Sequence, residues 1–141
     1  MRVVLDTSVL VAAIRGQTGA SNALLIAALR SRLKFLISTP LVLEYEAVLT
    51  RREHLRPSGL NVGEVGDLLD MLCAAGIEVQ MTRSWRPMLR VPDDEMVLGT
   101  AINGHANAIV TFNRADFVSI PAEFGIEVLS PRDALKRMEI K

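Results

Sequence analysis

The chain is poor in the groups that most often announce a chemistry. One cysteine in 141 residues excludes an internal disulfide and a cysteine-built metal centre. That residue, Cys73, lies in Leu68-Leu69-Asp70-Met71-Leu72-Cys73-Ala74 and reads as a small buried hydrophobe. The two histidines, His54 and His105, accompany no acid at metal-ligand spacing, which argues against histidine catalysis. Aromatic residues make up only 4% of the chain, so its core must be aliphatic. Net charge is zero, so the chain as a whole is not an electrostatic nucleic-acid binder and any basic contact surface must be local. Apolar runs are too short or interrupted to span a bilayer. Met1-Arg2 leads straight into a strand and an aspartate rather than a secretory signal. A soluble cytoplasmic protein with no membrane partner is expected.

What is present is a 50% hydrophobic chain, long enough to bury a real core as one domain over residues 1–141. Residues 2–5 are apolar without alternation, as buried parallel strands are. Helices are expected over 8–15, ending near Gly16, and over 21–32 with the stripe Leu24, Leu25, Ala28 and Leu29. Phe35-Leu36-Ile37 is a second strand. Thr39-Pro40 has the form of an N-cap and a first-turn proline, opening a helix to about Arg51. The polar stretch from Arg52 to Leu60, with Pro57 and Gly59, reads as a loop. Asn61-Val62-Gly63-Glu64 resembles a capping box for a helix ending at Gly76. Ile77 to Gln80 is a third strand, followed by a helix from Asp94 to Gly104 and strands at 108–111 and 126–129. Ser130-Pro131 caps a terminal helix. Such β–α alternation predicts one central, mostly parallel sheet.

This topology sends four distant acids to one rim. Strands end, and the helices after them begin, at the carboxyl edge of a parallel sheet. Asp6 ends the first strand, Glu44 lies early in a helix, Asp94 opens another, and Asn113 and Asp116 follow a strand. Each has a bland explanation alone: Asp6 and Asp94 as helix caps, Glu44 as a solvated helix residue, Asp116 as a turn former. Together they would repel, by about 3 kcal/mol per pair at roughly 5 Å and an effective dielectric of about 20. A divalent cation is the simplest compensation, and it points to a metal-dependent enzyme.

The same residues resemble those of PIN-domain proteins. Val4-Leu5-Asp6-Thr7-Ser8-Val9-Leu10 is similar to the opening of that family, and the stretch from Pro40 to Arg51 to its second motif. Pro92-Asp93-Asp94-Glu95-Met96-Val97-Leu98-Gly99-Thr100-Ala101 resembles the third, and the stretch from Ala108 to Phe117 the fourth. The closing Ser130-Pro131-Arg132-Asp133-Ala134-Leu135 is similar to the tail of the bacterial toxin branch (VapC-like). The resemblance implies a three-layer α/β/α sandwich and a Mg²⁺- or Mn²⁺-dependent endoribonuclease acting on single-stranded RNA. It also implies the toxin of a toxin–antitoxin pair, with an antitoxin protein as partner, and a homodimer. Carried over, the catalytic acids are Asp6, Glu44, Asp94 and Asp116, with Asp6, Asp94 and Asp116 on the metal and Ser8, Thr111 and Asn113 in support. Asn113 stands where relatives commonly have aspartate, and Phe112 where glycine is frequent.

Candidate RNA-backbone contacts are Arg51, Arg52 and Arg56 after the second motif, and Arg83, Arg86 and Arg90 before the third, with Trp85 placed to stack on a base. Rival readings are a PIN-like module that only binds a partner, a phosphoaspartyl phosphatase and a receiver domain. The phosphatase would need an aspartate where Ser8 stands. The receiver would need an acid pair after the first strand and a lysine after the Val110 strand, and neither is present.

Overall fold

The three central strands form because their side chains, beyond a charged first residue in two of them, are apolar without alternation and bury on both faces. The computed structural model describes residues 1–16, 19–81, 94–118, 120 and 122–138. Within them, β1 (Arg2–Leu5), β2 (Lys34–Ile37), β3 (Ile77–Glu78), β4 (Ala108–Val110) and β5 (Glu127–Leu129) pair in the order β3-β2-β1-β4-β5. Every pairing is parallel, with Val3 opposite both Phe35 and Ala108, and Leu5 opposite Val110. Val3, Val4, Ala108, Ile109 and Val110 are wholly buried, as expected of central parallel strands covered on both faces.

Seven helices flank this sheet among the described residues: α1 (Thr7–Arg15), α2 (Ala20–Leu29), α3 (Thr39–Leu49), α4 (Arg52–Ser58), α5 (Val62–Ala75), α6 (Asp94–Asn103) and α7 (Pro131–Met138). The connections from β1 to β2 and from β2 to β3 step one way along the sheet, whereas that from β3 to β4 crosses back. Right-handed crossovers therefore place α6 on the opposite face from α1 and α2. Accordingly α6 packs on β1, β2 and β4, and α2 packs on α1, α5 and α7. The result is the expected α/β/α sandwich, with a sheet that is wholly rather than mostly parallel. No single helix among the described residues is long and apolar enough to cross a membrane.

Local chemistry explains where the structure departs from the sequence reading. The stretch expected to be a loop is helix α4. Pro57 falls in its last turn and Gly59 terminates it at φ 73°, the left-handed region that glycine favours, so both residues end a helix here rather than prevent one. Leu55 packs against the core, while Arg52, Glu53 and Arg56 face out. At α3 the cap is Ser38, whose hydroxyl accepts from the Leu41 N–H at 3.3 Å. Thr39 and Pro40 fill the first two helical positions, where a missing N–H is harmless. Helix α5 buries Val65, Leu69 and Leu72. Cys73 is turned about 100° from Leu72 and is exposed, not buried. The capping box at Asn61 and Glu64 forms as expected. Strand β3 is only two exposed residues, a short edge that offers little to pair with.

Close approach is tightest at Gly104. A methyl group on Gly104, just after α6, would lie 2.6 Å from Leu36 Cδ1 and 2.7 Å from Val79 Cγ2. Gly104→Ala is expected to destabilise the fold by about 1–3 kcal/mol through overpacking, read as a lower urea midpoint at unchanged slope.

Candidate active site

The strand order contains a topological switch between β1 and β4, because connections leave these neighbours in opposite directions. Ligands of open α/β sheets bind outside the carboxyl ends of strands at such a point. Asp6 follows β1 there and is only 4% exposed. Its backbone N–H continues the ladder to the Val110 carbonyl at 2.9 Å. Although Asp6 holds the N-cap position of α1, its side chain does not cap the helix. Its Oδ2 accepts from Ser8 Oγ at 2.6 Å and from Thr111 Oγ1 at 2.7 Å.

Both hydroxyls are fully oriented. Ser8 Oγ also accepts from the Phe112 N–H (3.3 Å), and Thr111 Oγ1 from the Asn113 N–H (2.9 Å). A hydroxyl has one proton to give, and here each gives it to the carboxylate. No hydrogen bond among the described residues reaches Asp6 Oδ1. The chain of contacts extends to Asp116, whose N–H donates to the Asn113 carbonyl at 3.0 Å within a 3-10 turn (Arg114–Phe117). Asp116 is partly buried and Asn113 exposed. Asp6, Ser8 and Thr111 are thus joined through their side chains at the switch point, and only the backbones of Asn113 and Asp116 continue from them along the same loop.

Two further clamps position the helices that carry the other acids. Tyr45 of α3 donates its hydroxyl to the Leu5 carbonyl at 2.5 Å, holding α3 against the carboxyl end of β1. Glu44, the residue before it, is partly buried. The Ser38 and Thr100 hydroxyls meet at 2.6 Å, and Thr100 Oγ1 donates to the Met96 carbonyl at 2.7 Å. Since Thr100 gives its proton to Met96, Ser38 is the donor between them. This pair fastens the start of α3 to α6, whose first residue is Asp94. The side chain of Asp94 lies outside the described residues, as do Arg83, Trp85, Arg86 and Arg90. Among the described residues no three His, Cys, Asp or Glu side chains gather closely enough to hold a cation.

Sequence reasoning missed Ser38, Tyr45 and Thr100. Their common signal is a hydroxyl at a strand–helix junction or inside an otherwise aliphatic motif. Arg51, Arg52 and Arg56 are exposed and line one open depression with Glu53 and Pro57. Helix α4, which carries Arg52 and Arg56, packs on α1 and α3.

Burial, and secondarily the nearby Asp6 carboxylate, pushes the Tyr45 phenol far above its ordinary value of 10.0. The folded state therefore keeps a proton that the unfolded chain loses near pH 10, so stability falls as pH rises above that value. Unfolding free energy should lose about 1.4 kcal/mol per pH unit from this group alone. Urea titrations of the wild type and Tyr45→Phe check it: the difference between their slopes against pH should appear only above about pH 10.

The family model described as PIN domain matches residues 2–115. No curated protein matches the chain. PIN domains are usually nucleases that depend on divalent metal ions. The match spans most of the chain, including both loops that build the Asp6 network, so the protein belongs to the PIN-domain family.

Proposed function

We propose that this protein is a metal-dependent endoribonuclease acting on single-stranded RNA, with Asp6, Glu44, Asp94 and Asp116 as its catalytic acids. The observation that carries the reading is the Asp6 carboxylate, buried at the switch point with two hydroxyls on Oδ2. An almost fully buried carboxylate is costly unless it is compensated, and here the two donors address a single oxygen. Carboxylate oxygens are the ligand type that a hard divalent ion, Mg²⁺ or Mn²⁺, takes. Asp6, Asp94 and Asp116 would hold it. When bound, such an ion would supply neutralisation of charge on the phosphate being cleaved.

The protein's own groups do the rest. Ser8 and Thr111 fix the rotamer of Asp6, and their backbone partners Phe112 and Asn113 hold the loop that leads to Asp116. Glu44 orients the attacking water and takes its proton. Asn113 contributes polar groups without charge. The finer reading, the toxin of a pair with an antitoxin and a second copy as protein partners, rests on the tail and motif resemblance. Large apolar side chains such as Leu43, 60% exposed, are in keeping with it.

Asp6→Asn should lower metal-dependent cleavage of single-stranded RNA by more than about 100-fold, because even outer partners of a metal site are worth about 10–100-fold. Circular dichroism should stay unchanged, and a chelator should abolish wild-type cleavage. Full activity in Asp6→Asn removes the proposal.

Arg51, Arg52 and Arg56 supply the local basic surface that a neutral chain needs to hold a polyanion. Replacing all three by Gln should flatten the slope of log binding constant against log salt by about 2, at about 0.7 per single-strand phosphate. The same charge change at Arg30, Arg32 and Lys34, around the amino end of β2, should leave it unaltered.

A further inference from the structure

The four phenylalanines do not behave alike. Phe35 and Phe117 are 2% and 1% exposed, and Phe124 packs on the core as a partly buried side chain. Phe112 is 55% exposed. It is not on a floppy tip. Its N–H is held by Ser8 Oγ, and Thr111 before it is wholly buried and bonded to Asp6. The next N–H, that of Asn113, is held by Thr111. A large apolar ring is thus kept in solvent by a backbone tied on both sides to the candidate catalytic carboxylate.

Leaving such a ring in water forgoes the stabilisation that burial would bring. The fold buries two of its four phenylalanines almost completely and has closed the core beneath this loop with Phe117, only five residues on. We infer that Phe112 is a stacking platform for a base of the single-stranded substrate, next to the phosphodiester presented to Asp6. This rests on the nuclease reading and extends it by naming how a base is held. Stacking needs an unpaired base, and every base has a π-face, so the platform selects single strands over duplexes without choosing a sequence. A phenyl ring suits this task because it has a flat face and few rotatable bonds to immobilise. Phe112 is a positioning residue, since it touches no reacting atom.

The test is equilibrium binding of a short single-stranded RNA in chelator, where nothing is cleaved, followed by cleavage kinetics with Mg²⁺. Phe112→Ala should weaken binding by roughly 5- to 150-fold, the range that base–aromatic stacking spans by alanine substitution. It should raise KM more than it lowers kcat. Phe112→Trp should restore affinity and Phe112→Leu should not. Replacing one nucleotide at a time by an abasic unit should reveal a position at which wild type and Phe112→Ala bind equally. Unchanged affinity in Phe112→Ala overturns the inference and leaves the nuclease reading standing if the variant still cleaves. Leu performing as well as Phe overturns it too, because the contact is then merely apolar. A change in sedimenting mass of Phe112→Ala without loss of RNA affinity overturns it in favour of a protein interface. If the wild type cleaves no RNA yet binding still depends on an aromatic at this position, the stacking platform stands and the nuclease reading alone fails.

Discussion

A carboxylate with almost no exposure must be satisfied by its surroundings, and the rim of this fold is organised around satisfying Asp6. Ser8 reaches it from the helix that follows β1, and Thr111 reaches it across the switch point from the end of β4. Each hydroxyl also takes a backbone N–H from the loop after β4. One side chain thereby fixes two loops that are about a hundred residues apart in sequence. Neither hydroxyl is free to turn, because each donates its only proton to the carboxylate.

The rest of the rim repeats this pattern. Tyr45 ties α3 to the last residue of β1, and Ser38 with Thr100 ties α3 to α6. These are polar contacts in an aliphatic core, and all of them lie at the carboxyl edge. Aliphatic packing alone tolerates small slips of a helix along a sheet, whereas a buried hydrogen bond that is broken costs its full desolvation. The clamps therefore set the relative positions of the elements that bear Asp6, Glu44 and Asp94. The solvent side of the same rim differs in kind, with Phe112 exposed. Two exposed ion pairs, Arg114–Asp133 at 3.4 Å from the turn that holds Asp116 to the start of α7, and Arg137–Glu127 at 2.9 Å, contribute little to stability.

Much of this was legible beforehand because it follows from period and punctuation. Uninterrupted Val-Val-Leu and Ala-Ile-Val runs announce parallel strands, and Asn61 with Glu64 announces a helix start. The candidacy of Asp6 was legible because it ends such a strand, and that of Ser8 and Thr111 through motif resemblance. Helix α4 was not, because Pro57 and Gly59 carry the same signal whether they end a helix or populate a loop. The cap of α3 slipped by one residue because Ser38 and Thr39 are equally able to cap, and only the bond to Leu41 distinguishes them. Cys73 was misplaced because it adjoins Leu72 in sequence but not on the helix face.

The amino-acid sequence by itself determined the α/β alternation, the aliphatic core and the place of Asp6 at the carboxyl end of the first strand. These depend on local periodicity and on the handedness of crossovers, which every chain of L-residues shares. Tertiary structure alone decided that Asp6 is bonded rather than capping, that Tyr45, Ser38 and Thr100 are clamps, and that Phe112 stays in solvent. Each of these is a contact, or a lack of one, between residues far apart along the chain, and such pairings carry no local signature.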